Sequence, residues 1–342
     1  MRAAVIRQVG SIELVDDWAE PKAGPGQLVV RVAACGVCYR DLVDRDGGYP
    51  FMRRPVVTGH EVAGTVEAVG DGVRAFAVGD RVATGLRAPC GACPACAAGD
   101  EVRCQASPVM YGITVDGGYA ERVVLWESSL VRVPDGVDLQ AAAMLNCTAA
   151  VALRALRRHA RLVAGETVLM TGASGGVGVH ALQVAHILGA RVVAVTSSEA
   201  KAERLRADPL LRADDVVVSR DAGWHKEVVA RTGGGADVAL ELVGAPTFNG
   251  ALRSLRMGGR AVVVGNVTTE RVEVNPGYLI SREISVAGSM GASRAELAEV
   301  LGWVRDGKLT PVIAARRPLA EAKAAQAALK DKSVIGRQLI VP

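Results

Sequence analysis

The stretch TVLMTGASGGVG, residues 167–178, decides how the second half of this chain is expected to fold. Residues 167–170 predict a short buried strand, and the apolar periodicity after Gly178 predicts a helix. Glycines between them permit a tight turn and let the backbone approach a pyrophosphate, whose charge the helix N-terminus would stabilise. In this setting the AxGxxG turn predicts dinucleotide binding. The expected cofactor contacts are Gly172, Ala173, Ser174, Gly175, Gly176, Val177 and Gly178.

Strand-like and helix-like segments alternate around this turn from about residue 149 onward. Strict alternation is typical of a parallel, doubly wound sheet, so we predict an α/β fold. The predicted strands are 167–170, 191–195, 216–218, 238–240 and 261–264, and the predicted helices include 179–188 and 200–206.

The first third of the chain has a different pattern. Short apolar segments, among them 28–33, 62–69 and 81–84, are separated by glycine and proline, which predicts a compact β-rich domain. A helix at 319–330 and a strand at 338–341 follow the α/β part. We therefore predict a β-rich domain formed by residues 1–148 and 309–342, and a dinucleotide-binding domain at 149–308.

Four of the seven cysteines lie in one short Gly/Ala/Pro loop with CxxCxxCx7C spacing. A loop of this kind can arrange four thiolates tetrahedrally around zinc, as a closed structural site. Disulfides are the alternative, but the cysteine count is odd and the opening residues suggest a strand rather than a secretory leader. We expect a structural zinc within the lobe 86–105. Its ligands would be Cys90, Cys93, Cys96 and Cys104.

A second group of metal-binding residue types is dispersed along the chain. Cys38 and Cys147 lie far apart and bracket His60 and Glu61. Two thiolates, one imidazole and a nearby carboxylate form a set that leaves a metal with an open position. Taken singly, such residues are more often ordinary core residues, so this hypothesis depends on the surrounding motifs. Cys35 has no partner pattern and is expected to be a packed core thiol.

The residues after the strand 191–195 bear on the choice of cofactor. An NADH-specific site would present a carboxylate there to the ribose 2′-hydroxyl, and residues 196–198 contain no acid. The hydroxyls of Ser197 and Ser198, with Lys201 close behind, would suit the 2′-phosphate of NADPH. The alternative is an ordinary helix start in which Ser198 is the N-cap and Lys201 is merely exposed. We predict NADP(H).

Together these motifs resemble the zinc-containing medium-chain dehydrogenase/reductase superfamily over essentially the whole chain. The stretch GHEVAG at 59–64, followed by Gly70 and Val73, is similar to its zinc signature. The stretch CGVC at 35–38 with Asp41, the cysteine lobe, the AxGxxG turn and the last cysteine then follow in the superfamily's order.

The resemblance implies a GroES-like catalytic domain, a Rossmann domain and an active site in the cleft between them. It implies that Cys38, His60 and Cys147 bind a catalytic zinc, with Glu61 as a close or exchangeable fourth ligand. With the lobe, that amounts to two zinc ions per chain. It also implies a homodimer or homotetramer that associates through an edge of the Rossmann sheet, at 284–287.

One residue departs from the alcohol-dehydrogenase pattern of this superfamily. Two residues after the first zinc cysteine, those enzymes usually have a Ser or Thr that relays the alcohol proton, and this chain has Arg40. Arginine is not deprotonated in proteins, so it cannot serve as that relay. The chain instead resembles the acryloyl-CoA reductase type. The segments that carry this likeness are 38–42, 171–178, 244–248, 257–260, 265–267 and 311–314, and the resemblance adds Val243, Gly265 and Asn266 as cofactor contacts.

The expected reaction is hydride transfer from NADPH to the β-carbon of an enoyl thioester such as acryloyl-CoA, with zinc as a Lewis acid for the carbonyl oxygen. Tyr49 resembles the tyrosine proton donor of enoyl-thioester reductases, and its alternative role is an aromatic wall of the pocket. Alternatives for the whole protein are an NADP-dependent zinc alcohol dehydrogenase or aldehyde reductase, and a non-catalytic NADPH-binding regulatory protein. Arg53 and Arg54 either bind CoA phosphates or form a solvated face.

The amino-acid composition restricts the classes of partner that we expect the chain to bind. Forty basic and thirty-six acidic residues give a net charge of +4, too small and too evenly spread to indicate nucleic-acid or membrane binding. We expect small-molecule partners. Cysteines that bind metal are typical of a reducing compartment, so we expect a cytoplasmic protein.

Overall fold

The computed structural model describes residues 1–211, 213–268, 270–330 and 334–342. The chain divides into two compact units, the first formed by Met1–Ala150 with Gly291–Pro342, and the second by Val151–Met290. The strands are β1 Ala3–Ile6, β2 Glu13–Val15, β3 Gln27–Val37, β4 Val56–Val57, β5 Glu61–Val69, β6 Arg81–Thr84, β7 Arg122–Trp126, β8 Leu130–Arg132, β9 Thr167–Met170, β10 Arg191–Thr196, β11 Asp215–Val218, β12 Ala236–Glu241, β13 Leu255–Val263, β14 Ser285–Gly288, β15 Ile313–Pro318 and β16 Arg337–Val341.

Helices alternate with the strands mainly in the second unit. The α-helices are α1 Tyr39–Arg45, α2 Pro94–Ala97, α3 Leu139–Leu145, α4 Val151–Arg154, α5 Gly178–Ile187, α6 Glu199–Ala207, α7 Trp224–Thr232, α8 Ala245–Arg253, α9 Pro276–Arg282, α10 Arg294–Arg305 and α11 Ala322–Lys330. Short 3-10 segments are Glu101–Arg103, Glu127–Ser129 and Leu319–Glu321, and π-helical turns are Asn146–Ala150 and Ala155–His159.

The first unit is built around the long strand β3. The larger sheet has the order β15-β16-β3-β5-β6-β8, with β7 also paired to β3, and a smaller sheet has the order β2-β1-β4. Gly36 on β3 lies opposite both Glu61 on β5 and Leu339 on β16. This register matters for the site, because it brings the ends of β3, β5 and β16 together just before Cys38.

The second unit contains one six-stranded parallel sheet with the order β11-β10-β9-β12-β13-β14. This is the doubly wound order 3-2-1-4-5-6, with β9 next to the point where the order reverses, and it confirms the predicted fold class. Val168 on β9 lies between Val192 on β10 and Val238 on β12, and all three are fully buried. The apolar runs recognised in the sequence are therefore strands buried on both faces of the sheet.

The contacts of α10 bear on the limits of the two units. The dinucleotide-binding domain predicted from the sequence extends to residue 308. In the structure α10 packs on α3 and β8 and belongs to the first unit. Its first residue, Arg294, donates from Nε to Oε2 of Glu101 at 3.0 Å. The helix α10 was not among the helices predicted from the sequence.

Among the described residues, the helical segment Leu139–His159 is long and apolar enough to cross a membrane by length and composition. Of its most apolar window, 83% is buried inside the protein, which is typical of a core helix.

Candidate functional site

The first group of metal-binding residues is assembled by the ends of β3 and β5. Cys38 follows β3 directly and is the N-cap residue of α1, while His60 and Glu61 stand at the start of β5. Gly59 precedes them with φ +94°, and a Cβ there would lie 2.3 Å from the ring of Tyr119. Only glycine tolerates this combination of backbone angle and crowding, so the turn that presents His60 depends on it.

Cys147 completes the group from the π-helical turn Asn146–Ala150. One ligand atom each of Cys38, His60, Glu61 and Cys147 lies within 4.8 Å of the others. Cys147 Sγ is 3.6 Å from His60 Nε2, which is itself 4.0 Å from Glu61 Oε1. Two thiols, an imidazole and a carboxylate at these separations match the donor types and the spacing that zinc requires, so the residues fit the metal.

The other ring nitrogen of His60 is held by Asp41. His60 Nδ1 lies 3.0 Å from Asp41 Oδ1, and both side chains are buried. The second oxygen of Asp41 accepts hydrogen bonds from the Tyr119 hydroxyl and the Cys38 backbone N–H, each at 3.0 Å. A carboxylate in this position fixes the orientation of the imidazole and directs Nε2 toward the sulfur atoms.

Glu61 contacts a buried arginine at the back of this group. Arg337 Nη2 lies 3.1 Å from Glu61 Oε1, and the same guanidinium donates to the carbonyl oxygens of Val37 at 3.2 Å and Cys147 at 3.4 Å. Burial raises the pKa of Glu61 to about 8, although Arg337 opposes this. Arg337 was not among the residues selected from the sequence, because an arginine that begins a C-terminal strand carries no motif.

The charge balance of the group favours a cation among its donor atoms. A hydrogen bond from Cys147 lowers the pKa of Cys38 well below its usual range, and the same bond raises the pKa of Cys147. Burial acts to lower the pKa of His60, but Asp41 and Cys38 raise it well above its usual range. With a divalent ion bound, the ion would supply the positive charge that protons on Cys147 and His60 otherwise provide.

The four lobe cysteines form a second group with the predicted membership. One ligand atom each of Cys90, Cys93, Cys96 and Cys104 lies within 4.8 Å of the others. The Sγ atom of Cys96 is 3.5 Å from that of Cys93 and 3.9 Å from that of Cys90. Burial acts against ionisation of Cys104, but the backbone N–H of Cys90 and others lower its pKa to about 6. The arrangement fits a four-thiolate zinc site.

The glycine-rich turn connects β9 to α5 as the sequence predicts. Gly172 has φ +59°, and a Cβ on Gly178 would lie 2.4 Å from the carbonyl oxygen of Gly172. Ala173 is fully buried and its N–H donates to the carbonyl of Val195 at 3.2 Å, which ties the turn to β10. Glycine at 172 permits the left-handed backbone angle, and glycine at 178 permits the close approach of α5 to the turn, so the conformation of the turn depends on both residues.

The predicted contacts after β12 and β13 lie beside this turn. A Cβ on Gly172 would be 2.9 Å from the Val243 side chain, and a Cβ on Gly265 would be 2.0 Å from the carbonyl of Leu242. Asn266 Oδ1 lies 2.8 Å from the position of a Cβ on Gly244. The carboxyl ends of β9, β12 and β13 thus bring Val243, Gly265 and Asn266 together with the turn, at the edge where ligands of such sheets bind.

The end of β10 carries the residues expected to choose between the two nicotinamide cofactors. Ser197 is exposed, and Ser198 is the N-cap residue of α6 but makes no side-chain cap hydrogen bond. Glu199 follows, and its carboxylate accepts from Arg206 at 2.8 Å and Arg220 at 2.6 Å. Arg220 follows β11, the strand paired with β10. Sequence reasoning missed this residue because it approaches Glu199 only through the pairing of the two strands. Lys201 is half-buried on α6.

Arg40 and Tyr49 lie together next to the first metal group. The Arg40 guanidinium carbon is 5.1 Å from the centre of the Tyr49 ring, and Arg40 Nε donates to Asp44 Oδ1 at 2.9 Å. The Tyr49 hydroxyl lies 3.8 Å from Met110 Sδ. Cys35 is a fully buried core residue, as expected.

The arginines suggested for CoA phosphates have partners within the protein. Arg53 Nη2 lies 2.6 Å from Asp116 Oδ1, and Arg54 Nη2 donates to the carbonyl of Asp44 at 3.4 Å. Half of the Arg53 side chain is exposed, so its ion pair is a solvated one.

Family models match most of the chain. An "alcohol dehydrogenase GroES-like domain" model matches residues 24–135, and a "zinc-binding dehydrogenase" model matches residues 176–306. The first of these lies in the unit that holds both metal groups.

Curated relatives match over the full length. The chain is 37% identical to an acryloyl-coenzyme A reductase of Sulfurisphaera tokodaii, with all of both chains covered. It is 40% identical to an acryloyl-coenzyme A reductase of Metallosphaera sedula, with 99% of each covered. Among solved structures, an NAD-dependent alcohol dehydrogenase superposes with a TM-score of 0.91 at 33% identity, with all of both chains covered.

Proposed function

Because the chain belongs to the zinc-containing medium-chain dehydrogenase/reductase family, we propose that it is an NADPH-dependent reductase of enoyl thioesters such as acryloyl-CoA. The chain is an oxidoreductase of a family that uses zinc and a nicotinamide cofactor on small molecules. Beyond this family membership, we propose the thioester as substrate, NADPH as cofactor and the roles of the residues that act on them.

The observation that carries the proposal is the position of Arg40. It occupies the second position of α1, two residues after the cap residue Cys38, where an alcohol dehydrogenase has its hydroxyl relay. A guanidinium stays protonated and cannot accept the alcohol proton. Reduction of a conjugated double bond requires no such relay, and two full-length relatives bear the name of that activity.

Residues of the first unit would hold the metal. Cys38, His60 and Cys147 would ligate a zinc ion, with Glu61 as an exchangeable fourth ligand, and the four lobe cysteines would ligate a second. When bound at the first group, zinc supplies a Lewis acid for developing negative charge. Asp41 keeps His60 oriented for this task, and Arg337 provides Glu61 with an alternative partner when it is not a ligand.

Residues of the second unit would hold NADP(H). The N–H groups of the turn 172–178 would bind the pyrophosphate, and Val243, Gly265 and Asn266 would line the cofactor beyond it. Ser197, Ser198 and Lys201 would bind the 2′-phosphate. Arg220 is an additional candidate, since its guanidinium lies within 2.6 Å of Glu199 at the start of α6. When bound, the cofactor supplies the hydride.

The substrate gains a hydride at the β-carbon and a proton at the α-carbon. We assign Tyr49 as the proton donor, because its hydroxyl belongs to a half-buried side chain that packs beside Arg40.

In solution we expect a homodimer or homotetramer that forms through the edge strand β14. Val286 on that strand is 41% exposed and Ile280 on α9 is 77% exposed, so both offer apolar surface to a second copy of the chain.

A second candidate function is that of an NADP-dependent zinc alcohol dehydrogenase or aldehyde reductase. It is favoured by the complete ligand set and by the likeness to an alcohol dehydrogenase over the whole chain. Under that assignment the alcohol proton would need a route that does not pass through residue 40.

The two functions are separated by a substrate panel. Oxidation of NADPH by the zinc-loaded protein is followed with acryloyl-CoA and crotonyl-CoA in one series and with simple aldehydes in the other, and each series is repeated with NADH. We expect turnover with the thioesters and a preference for NADPH. Turnover with aldehydes alone would contradict the proposal and support the second candidate. A His60→Ala variant controls for zinc-independent oxidation.

A further inference from the structure

Arg40 has a guanidinium that is fixed on one side and open on the other. Its Nε donates to Asp44 Oδ1 at 2.9 Å, and its carbon lies 5.1 Å from the centre of the Tyr49 ring. Asp44 is a buried anchor, with a side chain only 3% exposed. Across the described parts of the chain, the two terminal nitrogens of Arg40 have no hydrogen-bond partner. The side chain is therefore immobilised while two donor atoms remain available.

The same guanidinium lies close to the first metal group. Burial acts to lower the pKa of Arg40, whereas Asp44 and, more weakly, Cys38 and Cys147 raise it. Arg40 is two residues after Cys38, which caps α1 and belongs to the group whose ligand atoms lie within 4.8 Å of one another. The side chain is 34% exposed, so a substrate oxygen can reach it.

We propose that the terminal N–H groups of Arg40 bind the carbonyl oxygen of the substrate and stabilise it as it becomes anionic, which selects conjugated carbonyl compounds over alcohols. This inference rests on the proposed function and assigns to it a specificity-determining residue. A planar guanidinium with two free donors is suited to an enolate oxygen, because it offers charge-assisted hydrogen bonds in a fixed geometry.

The electron balance of the step is that of a conjugate reduction. A hydride from the reduced nicotinamide forms the new bond to the β-carbon, the electrons of the double bond form a bond between the α- and carbonyl carbons, and the carbonyl pair moves to oxygen. The nicotinamide is oxidised. Arg40 transfers no proton and only donates hydrogen bonds to the oxygen. The carbonyl re-forms when a proton is added at the α-carbon, which gives the saturated thioester.

The selectivity follows from what Arg40 cannot do. Oxidation of an alcohol requires removal of the hydroxyl proton, and a guanidinium that is already protonated does not accept one. In the thioester reaction negative charge develops on an oxygen next to a fixed positive group. Removal of one donor from such an oxyanion site typically lowers kcat by about 10²- to 10³-fold.

Binding of acetoacetyl-CoA tests this role without turnover. Its enolate has an ultraviolet band that the keto form lacks, so the difference spectrum at a fixed pH reports how strongly the protein favours the anion. We expect the wild-type protein to increase the enolate fraction, Arg40→Gln to lose at least about tenfold in enolate affinity, and Arg40→Lys to be intermediate, since it retains the charge but not the planar fork. Arg45→Gln, on the same helix but paired with Asp46, is the matched control and should behave as wild type.

The same variants are assayed with crotonyl-CoA, so that failure of the role assigned to Arg40 can be distinguished from failure of the proposed function. Thioester turnover and enolate binding that survive in both Arg40 variants would overturn the role of Arg40 and leave the proposed function in place. Enolate binding that depends on Arg40 without any thioester turnover would support the role of Arg40 and overturn the proposed function. A wild-type protein that does not favour the enolate would overturn the inference. If Arg40→Gln fails to fold, the difference between wild type and Arg40→Lys decides.

Discussion

Arg337 Nη2 lies 3.1 Å from Oε1 of Glu61, and both side chains are buried at the end of the sheet that presents the metal-binding residues. Arg337 begins β16 and Glu61 begins β5, and β3 lies between those two strands. Neither oxygen of Glu61 accepts a hydrogen bond among the described residues. The carboxylate is therefore held by charge rather than by directed hydrogen bonds, which leaves it able to exchange between the arginine and a metal.

Removal of one member of this pair should destabilise the protein more than removal of both. At pH 9 and above, where Glu61 with its raised pKa of about 8 is ionised, Arg337→Met leaves a buried carboxylate without its cation, and we expect the free energy of unfolding to fall by about 3–5 kcal/mol. The double variant Arg337→Met, Glu61→Gln should recover part of that loss, because no unpaired charge remains. Urea denaturation of the two single variants and the double variant measures the coupling. Strictly additive losses would show that the pair contributes no interaction of its own.

Replacement of Gly178 by alanine should weaken cofactor binding. The new Cβ would lie 2.4 Å from the carbonyl of Gly172 and 2.5 Å from that of Ala173, so the turn must shift. We expect the affinity for NADPH, measured by fluorescence titration, to fall at least about tenfold, because misplaced N–H groups no longer face the pyrophosphate.

Gly302→Ala is the matched control for this variant. Gly302 lies within α10, and a Cβ there would meet nothing within 4 Å. Alanine should raise the free energy of unfolding by about 0.5–1 kcal/mol through helix propensity and leave NADPH binding unchanged. An equal loss of affinity in both variants would contradict the close approach at Gly178.

The zinc content should change with the cysteine that is removed. We expect two zinc ions per wild-type chain by atomic emission, and one in Cys104→Ser, which loses a thiolate of the lobe. The lobe variant should also unfold at a lower temperature, because a structural zinc stabilises the fold around it. Cys35→Ala removes a buried thiol outside both groups and should retain two zinc ions. A single zinc ion in the wild-type protein would exclude this assignment.

Tyr111 should make the stability of the first unit sensitive to alkali. Burial raises the pKa of Tyr111 to about 12, and its hydroxyl lies 2.7 Å from Ser129 Oγ and accepts from the Trp126 N–H at 2.9 Å. Because the folded pKa is raised above the unfolded value of about 10, this stabilisation is complete below pH 10 and is lost between pH 10 and 12.

Two pKa units correspond to about 3 kcal/mol. Over that pH range the wild-type protein should therefore lose about 3 kcal/mol more of its free energy of unfolding than Tyr111→Phe, which lacks the titrating group. Urea denaturation at several pH values provides the comparison. Parallel profiles for the two proteins would mean that Tyr111 ionises without a folded-state penalty.

Much of the second unit could be predicted from the sequence, because its strands are buried on both faces and appear as uninterrupted apolar runs. The strand predicted at 167–170 has the same limits in the structure. By contrast β13, predicted at 261–264, begins at Leu255, because Gly258 and Gly259 interrupt the apolar pattern and suggest a turn. Backbone pairing between strands tolerates those glycines, but the periodicity of apolar residues does not show that the strand continues through them.

For the candidate site, residues with a spacing pattern could be predicted and residues supplied by strand pairing could not. The lobe cysteines lie close in sequence, so their grouping follows from the spacing alone. Arg337 approaches Glu61 only because β16 and β5 both pair with β3. Arg220 approaches Glu199 for the same reason, through the pairing of β10 with β11. Such contacts arise from long-range register, which a single sequence does not encode locally.

The destination of the hydride tests the central claim most directly. The zinc-loaded protein is incubated with crotonyl-CoA and NADPH that carries deuterium at the transferred position of C4, and the product is analysed by mass spectrometry and NMR. The account predicts butyryl-CoA with one deuterium at the β-carbon, and a second label at the α-carbon only when the solvent is D₂O. Deuterium at the carbonyl carbon, in an aldehyde or alcohol product, would contradict it.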